Sequence, residues 1–322
     1  MPIDYKIIEK TEIVPNVHKL VIRDPRIAKK AKAGQFILVM ANEKGERIPL
    51  TLSDWDPDKG TITIYVLELG ISTMEIVSLR EGDSLYSLAG PLGRPAHIEK
   101  FGNVIVGGGC FGIGGVYPIV RAMKEAGNHV TAIIEGRSNY LLYNRDELTN
   151  VADELYLTTS DGSLGMKGHV QEQLIALLKE GKTFDRAYFM GCTFMLMQCA
   201  EATRPFEIPT GVALNAIMLD GTGMCGCCRV SVDGTTKFVC VDGPELDGHK
   251  VDWNELFIRK HIYREEEAVA YQSHASRAVS GYERDSDIGK GDGAESSGSG
   301  SKALGSQASN SKASRDSTGG DV

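Results

Sequence analysis

The sequence predicts a β-barrel plus α/β architecture in consecutive units. An antiparallel β-barrel spans 1–98, a parallel-sheet α/β domain 99–210 and a cysteine-bearing loop segment 211–265, with a disordered tail over 266–322. Three observations carry this reading. Short β-prone segments separated by turn signals fill the first unit. From Asn103 the pattern becomes strand, glycine-rich turn, helix and strand. Later, Cys225, Cys227 and Cys228 fall together, and Cys240 follows after one short hairpin-like run.

In the first unit, Lys6–Val14, His18–Arg23, Gln35–Met40 and Thr61–Leu67 read as strands, with turns at Asp56–Gly60 and Glu81–Asp83. Strands at this spacing close readily into a small barrel. Two polar interruptions stand out. Arg47-Ile-Pro-Leu-Thr51 enters a strand, and Gly70-Ile-Ser-Thr73 opens a helix expected from Met74 to Leu79. Ser72 or Thr73 would cap that helix, and a helix N-terminus favours a phosphate. Each alone reads as a solvated turn. Within one barrel they read as the two ends of a flavin pyrophosphate site.

The second unit opens with the apolar strand Asn103–Gly107, followed directly by Gly107-Gly-Gly-Cys-Phe-Gly112-Ile-Gly-Gly115. A helix is expected over Val116–Ala126, stopped by Gly127, and then a strand over His129–Ile134 that ends at Glu135. A glycine-rich turn alone is weak, because many such turns carry glycine for packing. Between a strand and a helix it points to a dinucleotide pyrophosphate. The alternation continues through a strand at Glu154–Thr158, a helix at His169–Lys179, a strand at Arg186–Met190 and a helix at Phe194–Ala202. Ligands of a parallel sheet sit at strand C-termini. The candidates there are Glu135 with Arg137, the Thr159-Ser-Asp161-Gly turn, and Gly191-Cys192-Thr193.

The third unit carries Asp220-Gly-Thr-Gly-Met-Cys225-Gly-Cys227-Cys228 and then Cys240. Arg229–Val239 reads as a hairpin turning at Asp233-Gly234, which folds Cys240 back towards Cys225 and Cys228. Zinc would prefer two C-x2-C knuckles, and only Cys225/Cys228 has that spacing. The plant-type [2Fe–2S] frame is C-x4-C-x2-C with a distant cysteine. Asp220 stands in its first position, followed by Cys225, Cys228 and Cys240. An aspartate carboxylate can ligate ferric iron, and Cys227 is the alternative fourth ligand.

At 322 residues, with 42% hydrophobic residues, the chain is long enough for more than one packed unit. A formal charge of −8 argues against nucleic-acid binding. No stretch reaches the roughly 18 apolar residues of a membrane span. An odd count of seven cysteines, their clustering and the lack of an apolar leader point to a reducing cytoplasm. The tail is rich in Ser, Gly, Asp and Lys and has too few apolar residues to bury.

Barrel, nucleotide domain and cysteine loop in this order resemble the ferredoxin reductase superfamily. The resemblance covers about residues 1–260 and is strongest to the electron-transfer subunits of dihydroorotate dehydrogenase and their relatives. Within these it points to the small subunits of flavin-based electron-bifurcating NADH-dependent reduced ferredoxin:NADP+ oxidoreductases, also called sulfide dehydrogenase subunits, which share Asp220-Gly-Thr-Gly-Met-Cys-Gly. The resemblance implies FAD on Arg47, Pro49, Leu50, Thr51, Tyr65, Val66, Leu67, Gly70, Ser72 and Thr73. It implies NAD(H) on Gly107, Gly108, Gly109, Gly112, Glu135, Arg137, Asp161 and Cys192. For the [2Fe–2S] cluster it implies Asp220, Cys225, Cys228 and Cys240.

An acidic residue at Glu135 favours an unphosphorylated ribose, whereas Arg137 suits a 2′-phosphate; the resemblance tips the choice to NAD(H). It further implies a larger flavin and iron–sulfur partner subunit, with ferredoxin reached only through that partner. The cofactors carry the chemistry, so no protein acid or base is expected. A reductase subunit of dihydroorotate, sulfide or glutamate synthase chemistry, and a non-catalytic zinc-binding subunit, are the competing readings.

Overall fold

Alternation along the first strands builds a closed apolar interior. The computed structural model describes residues 4–273. Strands β1 (Ile7–Val14), β2 (Val17–Arg23), β3 (Phe36–Met40), β4 (Ile48–Thr51), β5 (Asp54–Asp56), β6 (Thr61–Leu67) and β7 (Ser87–Leu92) form two antiparallel sheets, ordered β1-β2-β6-β5 and β4-β3-β7. In β6 every second side chain is buried, and Ile62, Ile64 and Val66 join Leu20, Ile22, Ile37, Val39 and Leu52 in one core. Each such side chain contributes roughly 1.5–3 kcal/mol on burial.

Helices α1 (Pro25–Ala28) and α2 (Ile71–Ser78) accompany these strands. The start of α2 differs from expectation. Gly70, not Ser72 or Thr73, is the N-cap. The Thr73 hydroxyl instead reaches back from the first turn and accepts the Leu69 and Gly70 N–H groups at 2.9 and 3.0 Å. Capping from inside the helix lets it begin earlier than the sequence suggests.

Strands β8 (Asn103–Gly109), β9 (His129–Gly136), β10 (Glu154–Thr159), β11 (Met166–Lys167), β12 (Arg186–Met190) and β13 (Thr210–Ala213) are parallel, in the order β11-β10-β9-β8-β12-β13. Helices on both faces cover the sheet, as a parallel sheet requires. Helices α3 (Ile113–Glu125) and α4 (Arg145–Val151) pack on Val104, Val106, Ala132 and Ile134. On the other face, α5 (Val170–Lys179) and α6 (Thr193–Thr203) pack on Ile105, Ile133, Ala187 and Phe189. Helix α3 begins at Ile113, inside the glycine-rich turn rather than after it.

The hairpin forms as expected from β14 (Arg229–Val232) and β15 (Thr235–Phe238). Asp233 and Gly234 both take positive φ, at 53° and 68°, the primed turn that suits a two-residue hairpin. Cys240 lies in the short helix α7 (Val239–Asp242). Strand β16 (Glu245–Asp247) then adds to β13 in antiparallel sense, and α8 (Trp253–Lys260) follows. Cys228, Cys240, Trp253 and Leu256 share a core with α5, α6 and the barrel residues Phe36 and Leu38. The cysteine segment is therefore built onto the other two parts. Residues 264–273 are helical and reach into the expected tail over 266–322, a terminal helix being expected from Glu255 to about Ala270. Its remainder, 274–322, lies outside the described residues.

Candidate functional site

The glycine-rich turn leaves β8 and meets the barrel. A Cβ built on Gly114 would lie 2.6 Å from the Tyr65 ring and 3.2 Å from the Ser53 hydroxyl, so only glycine permits this approach. The turn is held from behind by Tyr143, whose hydroxyl accepts the Gly114 N–H at 3.0 Å and donates to the Cys110 carbonyl at 3.1 Å. The Tyr143 ring lies 5.1 Å from that of Tyr65, and the Tyr65 hydroxyl donates to the Asn144 side-chain oxygen at 2.7 Å. Burial pushes the Tyr65 phenol up to about 12 and that of Tyr143 further, so both stay neutral donors. On α3, Arg121 pairs with Asp54 at 2.8 Å and lies 5.1 Å from the Trp55 ring centre, a second tie to the barrel.

Along the barrel, Pro49, Leu50 and Thr51 are half-buried on the edge strand β4, and Arg47 before it is exposed. Tyr65 and Leu67 are half-buried on β6. Val66 points into the barrel core with no exposure, which leaves it only its backbone to offer a ligand. Gly70, Ser72 and Thr73 form the N-terminal turn of α2.

In the α/β part, Gly107, Gly108 and Gly109 lie buried within β8, and Gly112 is buried just before α3. Glu135 does not stand free. Its oxygens accept from the Val170 N–H at 2.9 Å and bond His169 Nδ1 at 2.8 Å, so it caps α5. That contact holds the His169 imidazolium above its usual range. Arg137 and Asp161 are exposed, and Ser163 hydrogen bonds hold the Asp161 carboxyl down at about 2. Cys192 is exposed at the start of α6. Beside it Thr193 Oγ1 donates to the Asn215 side chain at 3.0 Å and receives Lys260 Nζ at 3.2 Å.

The structure brings the cysteine-loop residues together. Gly221 takes φ 72°, and a Cβ there would meet Leu92 at 2.8 Å and Leu38 at 2.9 Å, so the loop sits directly on the barrel. Arg94 ties the other side, its guanidinium donating to the Val241 carbonyl at 3.0 Å. Asp220 accepts the Thr222 and Cys225 N–H groups at 2.8 Å each, which lowers its carboxyl pKa and keeps it anionic. The Cys240 N–H points at Cys228 Sγ, 3.4 Å away. Burial and the neighbouring Cys225 thiol push the Cys227 thiol above its usual range.

Among the described residues, no three His, Cys, Asp or Glu side chains surround a single ion position. The donors come as neighbouring pairs instead, Cys228 with Cys240 and Asp220 with Cys225, Cys227 lying beside the second. Pairs of oxygen and sulfur donors suit a group with two irons, each taking two protein ligands.

Residues 215–252 match the iron-sulfur cluster binding domain of dihydroorotate dehydrogenase B. The chain is 45% identical over 267 residues to the Thermotoga maritima homolog of the dihydroorotate dehydrogenase B (NAD(+)) electron transfer subunit, across 83% of this chain and 94% of that one. The chain belongs to this family of electron transfer subunits. A solved structure of an NADH-dependent reduced ferredoxin-NADP oxidoreductase, described for flavin-based electron bifurcation, contains a chain 41% identical to this subunit. It superposes with a TM-score of 0.81, covering 85% of this chain and 99% of that one. A ferredoxin reductase of carbazole 1,9a-dioxygenase, 16% identical with a TM-score of 0.53 over 64% of this chain and 67% of that one, shares the fold. The ferredoxin reductase fold of the subunit is thereby established, and no described helix is long and apolar enough to cross a membrane.

Sequence reasoning misses Tyr143, Arg259 and Lys260, because each acts on a backbone or side-chain group far away in the chain. It also places Glu135 at a ribose without foreseeing its bond to His169, which lies 34 positions later.

Proposed function

We propose that the chain is the electron-transfer subunit of a flavin-based electron-bifurcating complex linking NADH, ferredoxin and NADP+. In this reading the barrel 1–98 holds FAD, 99–210 takes NAD(H), 211–265 holds a [2Fe–2S] cluster and 266–322 carries no cofactor. When bound, NAD(H) and FAD exchange a hydride and the cluster carries single electrons.

The chain's residues do the holding and aligning. Arg47, Pro49, Leu50 and Thr51 present the edge of β4 to the flavin, and the backbone of Tyr65, Val66 and Leu67 presents β6. The first turn of α2, with Ser72 and Thr73, offers N–H groups to its diphosphate, and Gly70 lies at the cap with its own N–H taken by Thr73. The turn from Gly109 to Gly112 faces the nucleotide, with Gly107 and Gly108 setting it close to the sheet. In this reading Arg137, Asp161 and Cys192 stand beside the nucleotide, and Glu135 fixes the start of α5 next to it through His169 and Val170. Asp220, Cys225, Cys228 and Cys240 hold the cluster.

The observation that supports the reading is the seating of the cysteine loop on the barrel through Gly221, Leu38 and Leu92, so that an iron site there would lie beside a flavin held by the barrel. The family name favours a second reading, in which the partner is a dihydroorotate dehydrogenase. Asp220 in place of a first cysteine favours the first. Either way the subunit works with a larger partner in the cytoplasm and reaches ferredoxin only through it. Purification of the native complex, with identification of the partner and assay of coupled ferredoxin and NADP+ reduction, tests the choice. A chain that alone reduces ferredoxin in coupled fashion contradicts it.

A further inference from the structure

The carbonyl groups on either side of Cys228 are held by one side chain. Arg259 Nη2 donates to the Cys227 carbonyl at 2.9 Å, and Arg259 Nε donates to the Arg229 carbonyl at 3.1 Å. The fork of a guanidinium thus brackets Cys228, which is 2% exposed. Arg259 is not a loose arm. It lies in the last turn of α8, which is anchored by buried Leu256 and by Trp253, whose indole N–H donates to the Gly248 carbonyl at 3.2 Å. The next residue, Lys260, turns away to Thr193. The Cys228 carbonyl and sulfur are themselves taken, by the Val239 and Cys240 N–H groups at 3.1 and 3.4 Å. Arg229 is a second cation nearby, donating to the Gly226 carbonyl at 3.2 Å, but it is exposed and so better screened.

We propose that Arg259 is a positioning residue of the cluster loop and that its fixed charge raises the reduction potential of the cluster held there. The proposal rests on the assignment of this loop as a [2Fe–2S] site and goes beyond it. Two things follow from the geometry. The fork sets the conformation of the Cys227–Arg229 segment, and with it the direction of the Cys228 sulfur. Reduction adds one electron and no proton, so the site gains one negative charge. A half-buried cation on the adjacent backbone stabilises that charge through a medium of low effective dielectric.

The experiment is a dithionite titration with redox mediators, followed by electron paramagnetic resonance, on the anaerobically purified full chain. It compares wild type with R259Q and R259K, alongside iron content and the rate of iron loss to a chelator. R259Q is expected to make the cluster about tenfold harder to reduce, a fall of about 59 mV for a one-electron couple. R259K keeps the charge but not the fork. It is expected to stay within about threefold of the wild-type reduction equilibrium while losing iron several-fold faster.

An unchanged or raised potential in R259Q overturns the electrostatic role. Iron loss in R259K at the wild-type rate overturns the positioning role. Should R259Q retain no iron, R259K decides: a tenfold shift there, with charge retained, also overturns the electrostatic role, whereas a potential near wild type supports it. Wild-type chain without iron is a different result, and it refutes the assignment of the loop itself.

Discussion

The Tyr143 hydroxyl accepts the Gly114 N–H at 3.0 Å while its ring packs 5.1 Å from that of Tyr65. One buried side chain thereby joins the glycine-rich turn to strand β6 of the barrel. The join explains why α3 starts within the glycines: its second amide is satisfied by a phenol 29 residues away.

Tyr143→Phe keeps the ring contact and removes the hydroxyl. It strands the Gly114 N–H, while the Cys110 carbonyl keeps the Ile113 N–H, and a buried group left unpaired costs about 1–3 kcal/mol. Denaturant unfolding should show that loss. Steady-state diaphorase kinetics should show a KM for NADH raised several-fold, with kcat changed less.

Gly221→Ala places a methyl group between Leu92 and Leu38 at a backbone φ of 72°. Left-handed backbone alone costs a non-glycine residue about 1–2 kcal/mol. The variant should unfold at lower temperature and release iron faster, while the barrel keeps its flavin. Flavin loss in step with iron would mean that the loop supports the barrel rather than resting on it.

His169 carries a pH dependence. Its bond to Glu135 raises the folded-state pKa above the ordinary histidine value of 6.5. The linked stability is fully present below the unfolded-state pKa and is lost as pH rises through the folded-state pKa. A nuclear magnetic resonance titration of the ring protons should place that pKa above 6.5, and Glu135→Gln should lower it. Equal values in the two proteins would mean that the bond does not form in solution.

Asp220 and Cys227 compete for the fourth ligand position. With Asp220 as ligand, Asp220→Asn should alter the visible and paramagnetic spectra and weaken iron retention, and Cys227→Ser should leave both unchanged. The opposite pattern would assign Cys227.

The parts of this fold that are legible in the sequence are those written in local periodicity. The inward Ile62, Ile64 and Val66 of β6, the parallel strands from β8 to β12 and the Asp233-Gly234 turn all follow from residues close together in the chain. Short elements such as β5, β7 and β16 are not legible, because their pairing supplies what their length does not. The cap of α2 departs from the local pattern because a side chain bonds backward. At the site, residue type and spacing single out the cysteines and the glycines. Tyr143, Arg94, Arg259 and Lys260 hold those residues in place across separations that no local pattern records.

A flavin and an iron pair held side by side by one chain are what every step above requires. Anaerobic purification, followed by flavin and iron analysis and a visible spectrum, decides whether both are present. About one FAD and about two irons per chain are expected, with both chromophores bleached by NADH. A colourless protein containing zinc and no flavin would contradict this.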